Sequence, residues 1–133
     1  MCEARGFKRM TGIRRFEDIE AWVKARELTQ GIYKATTQEP FSKDFGLRDQ
    51  LQRASVSVMA NSAEGFDGGS NREFIRFLSY ALRSTTEVQS HLYVALDQQY
   101  INQETFMQLY NSGIEVKNLL SGFIRYLRSA SEP

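Results

Sequence analysis

A single cysteine, Cys2, and a single histidine, His91, remove most of the side chains from which metal centres and covalent catalysis are built. Cys2 has no second thiol for an intrachain disulfide, and beside Met1 it supports neither a zinc cluster nor a buried thiol nucleophile. One histidine excludes the two-histidine helix motif and the paired Glu-x-x-His motifs of di-iron bundles. The expectation is a boundary histidine with Glu87, one turn earlier, as its neighbour. Carboxylates are plentiful, but no spacing singles out an acid and base couple. No catalytic residue, metal or cofactor is therefore expected. Charge of one sign is also lacking, since 17 basic and 16 acidic side chains leave a net charge of +1. No global pull towards nucleic acid or membrane results, and any basic surface must be local. Nothing approaches the roughly 20 apolar residues of a membrane span. Met1 to Arg15 carries Arg5, Lys8, Arg9, Arg14 and Arg15 without the apolar run of a signal peptide. A reducing cytoplasmic compartment without membrane contact is expected. Only two prolines occur, and no segment alternates polar and apolar residues between hairpin turns, which leaves a sheet without candidate strands.

Helical periodicity fills the chain instead. Its 133 residues suit one domain with one continuous core. Residues 1–14 read as a flexible basic tail and residues 15–131 as an all-α, antiparallel up-down-up-down four-helix bundle. The first helix lies between Phe16 and Thr37, with Ala21, Ala25, Leu28, Ile32 and Ala35 in its stripe, and ends before Pro40. The second carries Leu47, Leu51, Ala54 and Val58, with Gly65, Gly68 and Gly69 marking its end. Ser70 and Glu73 have the spacing of a capping box opening the third helix, whose stripe is Phe74, Phe77, Leu78, Ala81, Thr85, Val88, Leu92 and Ala95. The loop from Gly65 to Ser70 lacks the lysine and spacing of a Walker loop, so it reads as a turn with a helix cap. In the fourth helix Phe106, Leu109, Gly113, Val116, Leu120, Phe123 and Leu127 alternate steps of three and four.

Other apolar residues fall outside these stripes. At 100° per residue, Leu119 and Tyr126 lie roughly 100° from the centre of the fourth stripe, and Ile75, Leu82 and Tyr93 about as far from the third. Ile19 and Val23 stand off the first. A self-association surface is the simplest use for such a second seam, and the alternative is a wide core face with a few exposed apolar residues. Basic residues also gather. Arg72, Arg76 and Arg83 project within about 40° of one another, opposite the third stripe, while Lys117, Arg125 and Arg128 add charge on the fourth helix. Guanidinium forks beside small hydroxyls suit phosphate backbones. Glu87 interrupts the ridge, and the plainer alternative is a solvated face whose charges partly pair, as Glu73 with Arg76. On the second helix Arg53, Ser57 and Glu64 fall within about 40°, with Asn61 towards the apolar face. Arg53 and Glu64, about 16 Å apart along the axis, are too far apart to pair within one straight helix.

The run from Phe16 to Trp22, then Ala25-Arg26-Glu27-Leu28 and Ile32-Tyr33, resembles the opening of a bacterial four-helix-bundle family associated with intervening sequences in 23S ribosomal RNA genes. The likeness continues through Phe45-Gly46-Leu47, Gln50 to Val58, Ala60-Asn61-Ser62-Ala63-Glu64-Gly65-Phe66 and Glu73 to Leu78. It departs from the family pattern at Gln52, Met59 and Arg83. Arg53, Ser57, Asn61, Glu64 and Gly65 fall in the family signature, as structural residues. The resemblance implies a homo-oligomeric ring, typically a pentamer, without enzymatic activity. Through a branch that resembles the accessory subunit of diversity-generating retroelements, it also implies RNA or DNA and a reverse transcriptase as partners. Two readings stand at this point: a nucleic-acid-binding accessory protein, or a protein scaffold docking on a polymerase or other partner.

Overall fold

The computed structural model describes residues 12–131. Four helices form the bundle: α1 (Glu20–Thr36), α2 (Phe45–Phe66), α3 (Asn71–Asp97) and α4 (Gln103–Ser131). Single 3-10 turns at Phe16–Asp18 and Phe41–Lys43 precede α1 and α2, and no strand occurs among the described residues. Short connections force successive helices to run antiparallel. Accordingly α1 packs on α2 and α4, α2 on α3, and α3 on α4, in up-down-up-down order.

Local chemistry sets the ends. Asp44 Oδ1 accepts the Leu47 N–H at 3.1 Å, Ser70 Oγ that of Glu73 at 3.2 Å, and Asn102 Oδ1 that of Thr105 at 2.8 Å. Each cap satisfies an orphan amide and is worth about 1 kcal/mol. Only half of the capping box expected at Ser70 is engaged this way, because the Glu73 carboxylate is taken by Arg76, at 2.8 and 3.2 Å from Nη2. Helix α3 ends in a Schellman turn. Tyr100 N–H reaches back to the Ala95 carbonyl and Gln99 N–H to that of Leu96, both at 2.9 Å, with Gln99 at φ 63.

The core follows the four stripes. Ala21, Ala25, Leu28, Ile32, Leu51, Ala54, Val58, Phe74, Leu78, Ala81, Val88, Leu92, Ala95, Phe106, Leu109, Val116, Leu120 and Leu127 are all buried. Ala35, Leu47, Phe77 and Phe123 are only half-buried, and Ile124 takes the deep position expected of Phe123. Ile124 lies about 40° from Leu120 around the helix against about 60° for Phe123, so it points closer to the stripe centre. Ile19, expected off the stripe, is 1% exposed. It precedes the helix in an extended conformation after a 3-10 turn, so helical arithmetic does not describe where it points.

Hydroxyls share the interior. Thr36, Ser62 and Thr85 are fully buried, and each donates to the carbonyl four residues earlier at 2.8 to 2.9 Å. Polar bonds also join neighbouring helices. Gln52 Nε2 donates to Thr36 Oγ1 at 3.0 Å, and Thr29 Oγ1 to the Ser55 carbonyl at 3.2 Å.

Gly65, expected to mark the end of α2, is its penultimate residue and is buried. A Cβ there would stand 2.9 Å from both Phe74 Cδ1 and Phe77 Cβ, so its absence lets α2 and α3 approach closely. The turn itself falls on Gly69 at φ +92. At the start of the chain, Ile13 is half-buried against the core and the Arg14 N–H donates to Asp18 Oδ2 at 3.0 Å. The rest of the basic tail, residues 1–11, lies outside the described residues.

Candidate nucleic-acid interface

Helix α3 shows three strips to its surroundings. Ser84 Oγ lies 2.9 Å from Ser57 Oγ, and Phe77 packs against Gly65, which marks the edge facing α2. On the opposite edge Gln89, 6% exposed, donates to the Tyr110 carbonyl at 3.3 Å and accepts from Lys117 Nζ at 3.3 Å. Gln89 therefore faces α4. Ile75, Leu82 and Tyr93 fall within about 40° of it around the helix. Between the two edges, pointing away from the core, stand Arg72, Arg76 and Arg83, all exposed.

The arginines are differently engaged. Arg76 is held by Glu73 and lies over the rings of Phe77 and Tyr80, at 5.4 and 5.8 Å from their centroids. The hydrogen bond to Glu73, that carboxylate's charge and Tyr80 raise its pKa further above the ordinary arginine value, so it stays charged throughout. Arg83 approaches the other side of the group, 6.0 Å from the Tyr80 centroid. Among the described residues no carboxylate holds Arg72 or Arg83. The Glu73 to Arg76 pair expected from the three-residue spacing is present, but both partners are about half exposed. Such a pair is worth about 0.2 to 1 kcal/mol, which a phosphate can outbid. The aromatic support from Phe77 and Tyr80 lies beyond the sequence reading, although the four-residue step from Arg76 to Tyr80 carries the signal.

Helix α4 supplies a second row. Phe74 meets Phe123, Gln89 meets Lys117, and Tyr93 meets Phe106 and Tyr110, which fixes the register between α3 and α4. That register sets Arg72, Arg76 and Arg83 about level with Arg128, Arg125 and Lys117 respectively. Lys117 and Arg128 lie within about 20° of each other on the edge of α4 that faces α3, and Arg125 some 60 to 80° further out. Six cations thus form three rungs across one face of the bundle. The neighbouring carboxylates differ in placement. Glu73 leans to the α2 side of α3, Glu87 stands on the arginine face one turn beyond Arg83, 3.4 Å from His91, and Glu115 turns to α1, where Lys24 Nζ is 4.0 Å away.

The apolar residues expected to form one seam lie on two edges. Ile75 and Leu82 are half-buried along the α3–α4 edge, where Tyr93 is 50% exposed. Leu119, half-buried, lies on the α1–α4 edge with Tyr126, 40% exposed, about 20° from it around α4. Met107 and Ile114, outside the stripes read from the sequence, are exposed beside the first edge, and Val94 is exposed on the outer face of α3. On α2, Asn61 Nδ2 donates to the Ser57 carbonyl at 2.9 Å and to its hydroxyl at 3.0 Å, closing a polar link with Ser84 on α3. Arg53 and Glu64 are exposed, and no ion pair joins them. His91 stands 3.4 Å from Glu87, as its position implied. Among the described residues no group of three His, Cys, Asp or Glu could hold a metal, and no helix is long and apolar enough to cross a membrane.

The architecture defines a class: an antiparallel four-helix bundle whose distinguishing surface is a charged face. The chain belongs to the 23S rRNA-intervening sequence protein family, whose profile matches residues 17–122. It is also similar to a crystal structure from Bacteroides thetaiotaomicron, described as a protein of unknown function from the S23 ribosomal protein family. The two share 28% identity and a TM-score of 0.72, over 78% of this chain and 97% of that one. No curated protein matches the chain.

Proposed function

We propose that this protein is a non-enzymatic, cytoplasmic, homo-oligomeric accessory factor that binds RNA or DNA through the α3–α4 face. The observation that carries the reading is the set of three basic rungs, Arg72 with Arg128, Arg76 with Arg125 and Arg83 with Lys117, six cations beside two carboxylates, Glu73 and Glu87. Arg72 and Arg83 are about 16 Å apart along the axis, close to five base steps of a strand at 3.4 Å each. Phosphate contacts of this kind position a backbone without reading its sequence.

The test replaces Arg72, Arg76 and Arg83 together with glutamine. Their side chains leave the core untouched, so stability should change by no more than about 0.5 kcal/mol per site. Removing one phosphate-neutralising cation lowers the magnitude of the log affinity against log salt slope by roughly 0.7 to 0.9. Fluorescence anisotropy across a salt series should therefore show weaker binding and a slope reduced by about 2. Wild-type affinity and slope in the triple variant would leave the ridge a solvated helix face.

A second reading, an adaptor docking on a polymerase such as a reverse transcriptase, draws on the exposed Tyr93, Met107 and Ile114 beside the same face. Nucleic acid recovered with the protein at low salt favours the first reading, and its absence the second.

A further inference from the structure

On the opposite side of α4 a groove runs between that helix and the start of α1. It consists of two adjoining hollows of about 470 and 400 Å³ that share Asp18, Glu20, Asn118 and Leu119. Its floor is apolar, made by Ile13, Val23, Leu119 and Phe123. Its rim is acidic. Asp18, Glu20 and Glu115 line it with one ammonium, Lys24, which already lies 3.3 Å from Glu27 and 4.0 Å from Glu115, while Arg15 stands 3.9 Å from Asp18. That leaves Glu20, which is exposed, as the rim carboxylate in no ion pair among the described residues.

We infer that this groove is the docking site of the chain's own first residues, with Phe7 and Met10 on the apolar floor and Arg5, Lys8 and Arg9 against the acidic rim. Three features support that occupant. The described chain begins at the groove, because Ile13 is one of its walls and Gly12, at φ +80, turns the backbone in a conformation open to glycine. The reach is right as well. Six residues separate Phe7 from Ile13, or about 20 Å when extended, whereas Phe123 to Glu115 covers about 12 Å of α4. The chemistry is complementary, since the segment Arg5 to Met10 combines three cations with two large apolar side chains and no carboxylate. Leu119 then lies under the tail, and Tyr126 stands about 10 Å further along α4.

The only cysteine, Cys2, provides the probe. A nitroxide on Cys2 of the full chain should broaden the amide resonances of Val23, Glu115, Leu119 and Gly122. Substituting Phe7→Ser and Met10→Ser together should abolish that broadening while the remaining spectrum is kept. High salt should weaken it, as screening of exposed charges requires. A tail that merely surrounds Ile13 would broaden its neighbours with or without Phe7 and Met10, and that result would overturn the inference. Mixing nitroxide-labelled chains with isotope-enriched C2S chains separates own tail from neighbour's. Broadening of the groove in the mixed sample alone would assign it to a second copy and equally overturn the assignment.

Discussion

Tyr100 donates its phenolic proton to Asp44 Oδ2 at 3.0 Å while its ring stacks on Phe41 at 4.9 Å, tying the α3–α4 turn to the α1–α2 connection. Asp44 is thereby committed twice, because its other oxygen caps α2. The hydrogen bond to Asp44, then burial, then the carboxylate's charge raise the Tyr100 pKa above the ordinary tyrosine value near 10. In the unfolded chain the phenol loses its proton near pH 10, while the folded state keeps it to higher pH. Between those two values the native state binds more protons, so stability falls as pH rises. The contribution is complete below about pH 10 and vanishes as pH passes the folded value. Tyr93 is raised in the same direction by its bond to Tyr110, so the alkaline loss is shared. Tyr100→Phe preserves the stack but has no proton to lose. Its thermal midpoint should lie below wild type at neutral pH, with the gap closing above about pH 10. A gap that stays constant up to about pH 11 would show that the latch contributes nothing to the alkaline transition.

Between elements, α2 meets α3 at close range at Gly65. A methyl group there meets Phe77 Cβ at 2.9 Å and the Phe74 carbonyl at 3.2 Å, neither of which a rotamer change can move. Overpacking of this kind costs about 1 to 3 kcal/mol, against a helix-propensity gain of about 1 for Ala over Gly. Gly65→Ala should therefore lose up to about 2 kcal/mol in urea unfolding. Gly31→Ala is the control, since its Cβ meets only the flexible end of Leu109 at 2.6 Å, and it should cost far less. Equal stabilities for the two would remove close helix approach as the reason for glycine at 65.

The contrast shows what a linear reading can see. Helix starts at Asn71 and stripes at three-and-four spacing depend on neighbours in sequence, and these are legible. So is the Arg76 to Glu73 pair. The role of Gly65, the exchange of Phe123 for Ile124 and the buried Gln89 depend on where a second helix lies, which periodicity does not contain. Buried hydroxyls such as Ser62 escape for another reason. Their polarity is cancelled by a carbonyl of their own helix, so they pack as small residues despite reading as surface. The candidate interface divides in the same way. Arg72, Arg76 and Arg83 share a face by helical arithmetic alone, whereas their level with Arg128, Arg125 and Lys117 needs the register between α3 and α4.

For the whole molecule, the separation of the apolar residues onto two edges bears on how copies would meet. A two-fold dimer presents the same patch from both subunits, but a closed ring joins one patch to a different one. Tyr93, beyond the last basic rung on the α3–α4 edge, and Tyr126 on the α1–α4 edge are suited to the second arrangement. A net charge of +1 per chain opposes assembly little, and each added copy repeats the basic face. Five subunits is the proposed number, following the family resemblance rather than the packing. Light scattering at micromolar concentration should accordingly return about five times 15.3 kDa, and a mass near 15.3 kDa would end the ring proposal. Tyr126→Glu tests the edge itself. Tyr126 is 40% exposed, so the change should leave the bundle folded while placing a charge where an apolar contact is required. The variant should run as a smaller species, and its affinity for a long RNA should fall further than for an oligonucleotide that one subunit can cover. Linked sites gain avidity only when several engage one strand. If Tyr126→Glu keeps the wild-type mass, the α1–α4 edge at Tyr126 is not a subunit contact.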